Sequence, residues 1–180
     1  MIVVNRKTSE TEITVEVAIG DGNAKVETGI DFFDHMLVTL ARYSGLDITV
    51  AATGDLDHHL IEDVAISIGA ALAQLAPSTA ARYGARTVPM DDALVSAALD
   101  IGNRNYYEGE LNDTMYEHFF RSLTDNARFT LHIDVQRGRD AHHIIEAAFK
   151  AFGLSLRDAL QDNGTVFSTK GSVQMEVREC

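Results

Sequence analysis

Two short stretches carry the densest chemistry in this chain. "HHLIEDVAISIG" begins at His58 and "HHIIEAAFKAFG" begins at His142. Each places two adjacent histidines ahead of a glutamate, Glu62 and Glu146. On a helix, residues i and i+4 share a face, so His58 aligns with Glu62 and His142 with Glu146. Adjacent residues are about 100° apart around the same helix, so His59 and His143 point away from their neighbours. One pair therefore serves two different ions better than it chelates one. Of the seven histidines, His35 and His132 are the further candidates: His35 follows an aspartate on an expected helix, and His132 interrupts an alternating strand. His118 has no carboxylate at metal spacing and reads as a surface residue. His35, His58, His59, His132, His142 and His143 with Glu62 and Glu146 would build two sites of three imidazoles and one carboxylate each. Octahedral ions so held keep positions open for a substrate. Imidazole suits zinc, copper, nickel, iron or manganese, and carboxylate shifts the preference toward harder ions. The lone cysteine, Cys180, offers neither a disulfide nor a thiolate metal site.

These motifs sit in a repeated frame. "HHLIEDVAISIGAAL" and "HHIIEAAFKAFGLSL" agree at six of fifteen positions. Upstream, "ARYSGLDITV" resembles "ARFTLHIDV" with one residue deleted, and "FFDHML" has a partner in "FFRSL". Two copies imply a pseudo-two-fold pair of halves, residues 1–88 and 89–180, together one unit. The pattern predicts strands over 11–19, 46–52, 91–101, 104–111 and 128–136, with the tail 172–178 alternating again. It predicts helices over 31–43 (capped by Asp31), 58–75, 113–125 and 142–160, and a turn at 21–25. The expectation is an α+β protein of two similar halves, each a mixed sheet with helices on one face.

Composition narrows the function. Apolar residues make up 46% and charged residues 23%, enough for a real core. No apolar run reaches membrane-spanning length, and the N-terminus lacks a signal-peptide layout, so a cytoplasmic protein is expected. The net charge of −12 argues against a nucleic-acid partner but leaves room for a small phosphorylated ligand met by a few local cations.

Taken in order, "ET" (Glu10, Thr11), "TGIDFFDHML", "HHLIEDVAISIG", "RYG", "MDDAL", "LDIGNRNYY", "FTLHI", "HHIIEAAFKA" and "STKG" run over nearly the whole chain. They resemble the imidazoleglycerol-phosphate dehydratase family of histidine biosynthesis. The resemblance implies two duplicated halves packed together (a ribosomal protein S5 domain 2-like fold). It also implies a homo-oligomer of twenty-four subunits and two Mn²⁺ ions per active site at subunit boundaries. The implied reaction is loss of water from imidazoleglycerol phosphate to give imidazoleacetol phosphate. The hydrogen to be removed is hardly acidic; two metals on the ring nitrogens would hold the ring as an electron-rich imidazolate able to expel the hydroxyl. By the family's pattern Glu10 contacts substrate as a candidate acid/base, and Arg82, Arg104, Ser168, Thr169 and Lys170 receive the phosphate. The chain departs from the usual pattern at Tyr43, Leu60, Asp92 and Phe167, none of them a proposed ligand. Two rivals are a dinuclear metallohydrolase of a phosphate ester, which would usually show bridging aspartates, and a non-enzymatic metal-binding assembly, which would not explain the basic residues.

Overall fold

Alternating burial turns the β-rich stretches into two sheets. The structure is a computed structural model and describes residues 1–166 and 176. Strand β2 (Thr11–Ile19) buries Ile13, Val15 and Val17 on one face, and β4 (Leu46–Gly54) buries Leu46, Ile48 and Val50. They pair antiparallel at the centre of a four-stranded sheet ordered β1-β2-β4-β3, with β1 (Ile2–Lys7) and β3 (Ala24–Glu27) at the edges. The second sheet repeats that order with β5 (Tyr83–Met90), β6 (Ala93–Asp100), β8 (Thr130–Arg137) and β7 (Tyr106–Gly109) as β5-β6-β8-β7. In each sheet the last pair is parallel, β3 with β4 and β7 with β8. A parallel pair needs a crossover, and a helix supplies it: α1 (Asp31–Ser44) in the first half, α3 (Thr114–Ala127) in the second. A second helix follows each crossover strand, α2 (Asp57–Leu75) and α4 (Ala141–Ala159). The same topology twice, with the same helix lengths, is the duplication expected from sequence.

The helices lie on one face of each sheet and pack against each other between the halves, α1 on α4 and α2 on α3. One continuous apolar core crosses that boundary. Its centre is aromatic: Phe119, Phe120 and Phe149 lie with ring centroids 4.8–5.3 Å apart, and all are fully buried. Each such burial contributes about 1.5–3 kcal/mol. The helix crossings depend on two glycines at equivalent repeat positions. A Cβ on Gly69 would fall 2.5 Å from the Leu123 carbonyl oxygen of α3, and one on Gly153 would fall 2.9 Å from the Tyr43 Cβ of α1. Without side chains there, the backbones approach closely.

Several local expectations are corrected. The sequence pattern does not predict β1 or β5, and β3 falls partly in the stretch expected to be a turn. The division expected at residue 88 cuts through β5, which belongs wholly to the second sheet; the halves part between Leu75 and Tyr83. Asp31 does not cap α1. Ile30 holds the N-cap position without a side-chain bond, and Asp34 instead accepts the Thr28 N–H at 3.0 Å. Asp113 and Asp140 do cap α3 and α4, accepting the Met115 and His142 N–H groups at 2.9 Å. Among the described residues no helix is long and apolar enough to cross a membrane. The alternating tail at 172–178 lies outside the described residues apart from Glu176.

Candidate metal centre

The repeat register places one histidine from each crossover helix beside the His-x-x-x-Glu face of the opposite half. α1 and α3 have equal lengths, and His35 on the first corresponds to His118 on the second. Because α1 packs on α4, His35 meets His142 and Glu146. The Glu146 Oε2 lies 3.1 Å from His142 Nε2 and 3.5 Å from His35 Nε2. Because α3 packs on α2, His118 meets His58 and Glu62. His118 stacks on the His58 ring at 4.8 Å, and its Nε2 lies 3.2 Å from Glu62 Oε1. In each cluster two imidazole nitrogens and a carboxylate oxygen lie within 4.8 Å of one another. Phe32 flanks the first cluster, 5.0 Å from the His142 ring and 5.5 Å from Tyr116.

The donor sets fit a metal ion. Two neutral imidazoles and a carboxylate make a borderline-to-hard ligand set. The buried Nε2 of His118 has no hydrogen-bond partner; Glu62 is near enough for an ion pair but not aligned to accept. A buried ring nitrogen left this way is costly unless a third body uses it. Glu146 is itself buried. Burial alone would raise its carboxyl pKa, but the Lys150 hydrogen bond and charge, with His35, hold it below its usual value.

The second histidines of the two pairs, His59 and His143, belong to neither cluster. His59 Nδ1 sits 2.9 Å from Asp55 Oδ1 and 3.7 Å from Glu10 Oε2. His143 Nδ1 sits 2.7 Å from Asp92 Oδ1, and its Nε2 lies 3.3 Å from Asp91 Oδ2. The hydrogen bonds to Asp55 and Asp92 are the main cause of the raised pKa of each imidazole, with the neighbouring carboxylates adding to it. Glu10 rides the β1–β2 turn, and Asp91 and Asp92 the equivalent β5–β6 turn. The first turn is pinned to α2 by buried Asp63, which accepts the Thr11 hydroxyl and the Arg6 Nε (2.9 Å).

Two sequence assignments change. His132 stands exposed on β8, opposite Ala98, with its ring 5.5 Å from Tyr106. It joins no His–carboxylate cluster among the described residues. His118, read from sequence as a surface residue, lies instead in the cluster with His58 and Glu62. The signal was present: "FFDH" at 32–35 and "MYEH" at 115–118 share an aromatic, an acid and a histidine at one spacing. The structural repeat aligns these segments, one helical turn away from the "FFRSL" alignment.

Of the phosphate candidates, Arg82 forms a forked pair with Asp100 at 2.7 and 3.0 Å, and Arg104 lies 3.7 Å from the same carboxylate. Arg82 also lines a cleft of about 460 Å³ with Gly102 and Asn103, away from both histidine clusters. Ser168, Thr169 and Lys170 lie outside the described residues.

A sequence model of imidazoleglycerol-phosphate dehydratase matches residues 28–156, most of the chain and all of the clustered histidines. The chain belongs to the imidazoleglycerol-phosphate dehydratase family. It is thereby an enzyme, a carbon–oxygen lyase of histidine biosynthesis. Imidazoleglycerol-phosphate dehydratase from Methanococcoides burtonii is 45% identical, covering 93% of this chain and 96% of its own. That from Methanoculleus marisnigri is 46% identical over 94% and 97%. The fold is shared with a family crystal structure from Pyrococcus furiosus in complex with (S)-C348. Its TM-score is 0.85 at 39% identity, covering 94% of this chain and all of that one. The dehydratase structure from Staphylococcus aureus gives 0.79 at 34%, covering 90% and 100%. The expected α+β fold of two similar halves is thus the family's fold.

Proposed function

We propose that this chain dehydrates imidazoleglycerol phosphate to imidazoleacetol phosphate with two Mn²⁺ ions per active site, in the cytoplasm. The observation that carries the reading is the pair of pseudo-symmetric His-His-Glu clusters, one of them with an unpartnered buried nitrogen at His118. His35, His142 and Glu146 would hold one ion; His58, His118 and Glu62 the other. When bound, the ions supply Lewis acidity at the nitrogens of the substrate's imidazole ring. Glu10, exposed on its turn and close to His59, serves as the proton-transfer group. It takes the weakly acidic carbon-bound proton and returns it to the departing hydroxyl, which leaves as water; the resulting enol tautomerises to the ketone. A positioned carboxylate contributes about 10²–10⁴-fold in such a transfer.

Distance argues that one site draws on several chains. The Arg82 N–H bonds the Ala159 carbonyl at the far end of α4 from His142. Seventeen residues of helix span about 25 Å at 1.5 Å per residue. A substrate of a few ångströms cannot bridge the clusters and Arg82 of the same chain. The proposed phosphate contacts Arg82 and Arg104, which share the Asp100 carboxylate, therefore act toward a neighbour's clusters. His59 or His143 of a neighbour supplies the third imidazole of each ion. The twenty-four-subunit assembly accommodates both demands. The deciding assay gives metal-stripped protein imidazoleglycerol phosphate with and without Mn²⁺. Manganese-dependent ketone supports the reading; free phosphate would indicate a hydrolase, and no turnover would leave only a metal-binding assembly.

A further inference from the structure

The repeat makes the two clusters equivalent in ligand type but not in charge. Glu146 uses one oxygen toward the imidazoles and the other toward Lys150, whose Nζ lies 2.9 Å from Oε1. Lys150 sits one turn further along α4 and is well enclosed, its side chain 17% exposed. Its ammonium also lies 3.4 Å from Met90 Sδ and 5.6 Å from the Tyr43 ring centroid, so α1 and the end of β5 fix it in place. The equivalent position in α2, one turn beyond Glu62, is Ile66. Glu62 has no lysine or arginine within ion-pair distance among the described residues; its partner there is His118.

One carboxylate is therefore neutralised in advance and the other is not. A dication approaching Glu146 meets a fixed ammonium on the far oxygen, in an enclosed setting where water screens it poorly. The same ion approaching Glu62 meets an uncompensated charge. Lys150 also leaves Glu146 a single free oxygen.

Building on the metal reading above, we propose that Lys150 makes the two centres unequal. The His58–Glu62–His118 cluster takes its divalent cation first. The His35–His142–Glu146 cluster fills only at higher metal concentration, so that free metal governs how much of the assembly is fully loaded.

The test is a Mn²⁺ titration of metal-stripped, full-length protein, with free Mn²⁺ read by its EPR signal. The wild type shows two classes of site whose dissociation constants differ at least tenfold. His118→Ala removes the tight class and His35→Ala the weak one. Lys150→Met, which keeps length and removes charge, tightens the weak class at least tenfold, whereas Lys150→Arg preserves the gap. Two equal classes in the wild type would overturn the proposal. So would a Lys150→Met weak class that is unchanged or weaker, which would make Lys150 a residue that orients Glu146 without opposing the cation. Failure of the wild type to bind Mn²⁺ at all would instead overturn the metal reading on which the proposal rests.

Discussion

Replacing Gly69 by alanine tests whether the α2–α3 crossing is what brings His118 to His58 and Glu62. A Cβ at Gly69 would lie 2.5 Å from the Leu123 carbonyl oxygen and 2.9 Å from Asn126 Cβ. Ordinary contact begins near 3.4 Å, so the two helices must part by close to an ångström. The obstacle is a backbone oxygen, which cannot rotate aside, so the overpacking cost falls in the upper part of its range, about 2–3 kcal/mol. Alanine returns about 1 kcal/mol through helix propensity. The net loss is about 1–2 kcal/mol. Gly153→Ala meets Tyr43 Cβ at 2.9 Å and the Ser44 nitrogen at 3.2 Å, a milder clash, and should cost less. Urea unfolding followed by circular dichroism measures both, and Mn²⁺ binding on the same samples reports the cluster. Gly69→Ala should be the less stable of the two and should weaken the tighter metal class. A Gly69→Ala protein as stable as wild type with unchanged metal binding would refute that expectation.

Three further outcomes are expected. Asp63→Ala removes the carboxylate shared by Thr11 and Arg6; Arg6 is partly exposed, so its share is small, and the Thr11 hydroxyl keeps the Thr8 hydroxyl at 3.1 Å, so a loss of about 1 kcal/mol is expected. An unchanged unfolding midpoint would show that the Glu10 turn is held by other contacts. In metal-stripped protein His143 titrates above the ordinary histidine value because Asp92 stabilises its imidazolium. That stabilisation is present at low pH and lost as pH rises through the raised pKa; Asp92→Asn should lower the NMR titration midpoint, and an unmoved midpoint would refute the assignment. Arg104→Ala should raise KM for the phosphorylated substrate about tenfold or more, the scale of one charge-assisted hydrogen bond, with metal content unchanged; a wild-type KM would exclude Arg104 from the phosphate site.

The central strands and all four helices were legible because their burial patterns are regular: β2 alternates strictly, and α2 and α4 carry the same spaced motif. The edge strands were harder to read. β1 is polar on its outward positions, β3 has four residues, and β5 contains Gly84 and Pro89, which edge strands tolerate because one side needs no ladder bond. The HHxxE glutamates and their aligned histidines were readable from helical spacing alone. His118 was not, because its carboxylate partner, Glu62, lies on another helix in the other half of the chain. Only the crossed packing of α1 on α4 and α3 on α2 brings such pairs together, and that packing is a property of the interface between halves. His132 lies apart for the converse reason: a polar residue in an alternating strand points outward, here beside Tyr106, so nothing along the strand brings it to the clustered histidines.

Metal content per chain in two single variants tests the central claim most directly. The wild type, dialysed to equilibrium against Mn²⁺ in excess of both sites and corrected for the free ion, should carry two ions per chain by elemental analysis. His118→Ala should carry one, and His132→Ala should keep both. Two ions retained in His118→Ala, or one lost in His132→Ala, would contradict the two-cluster account.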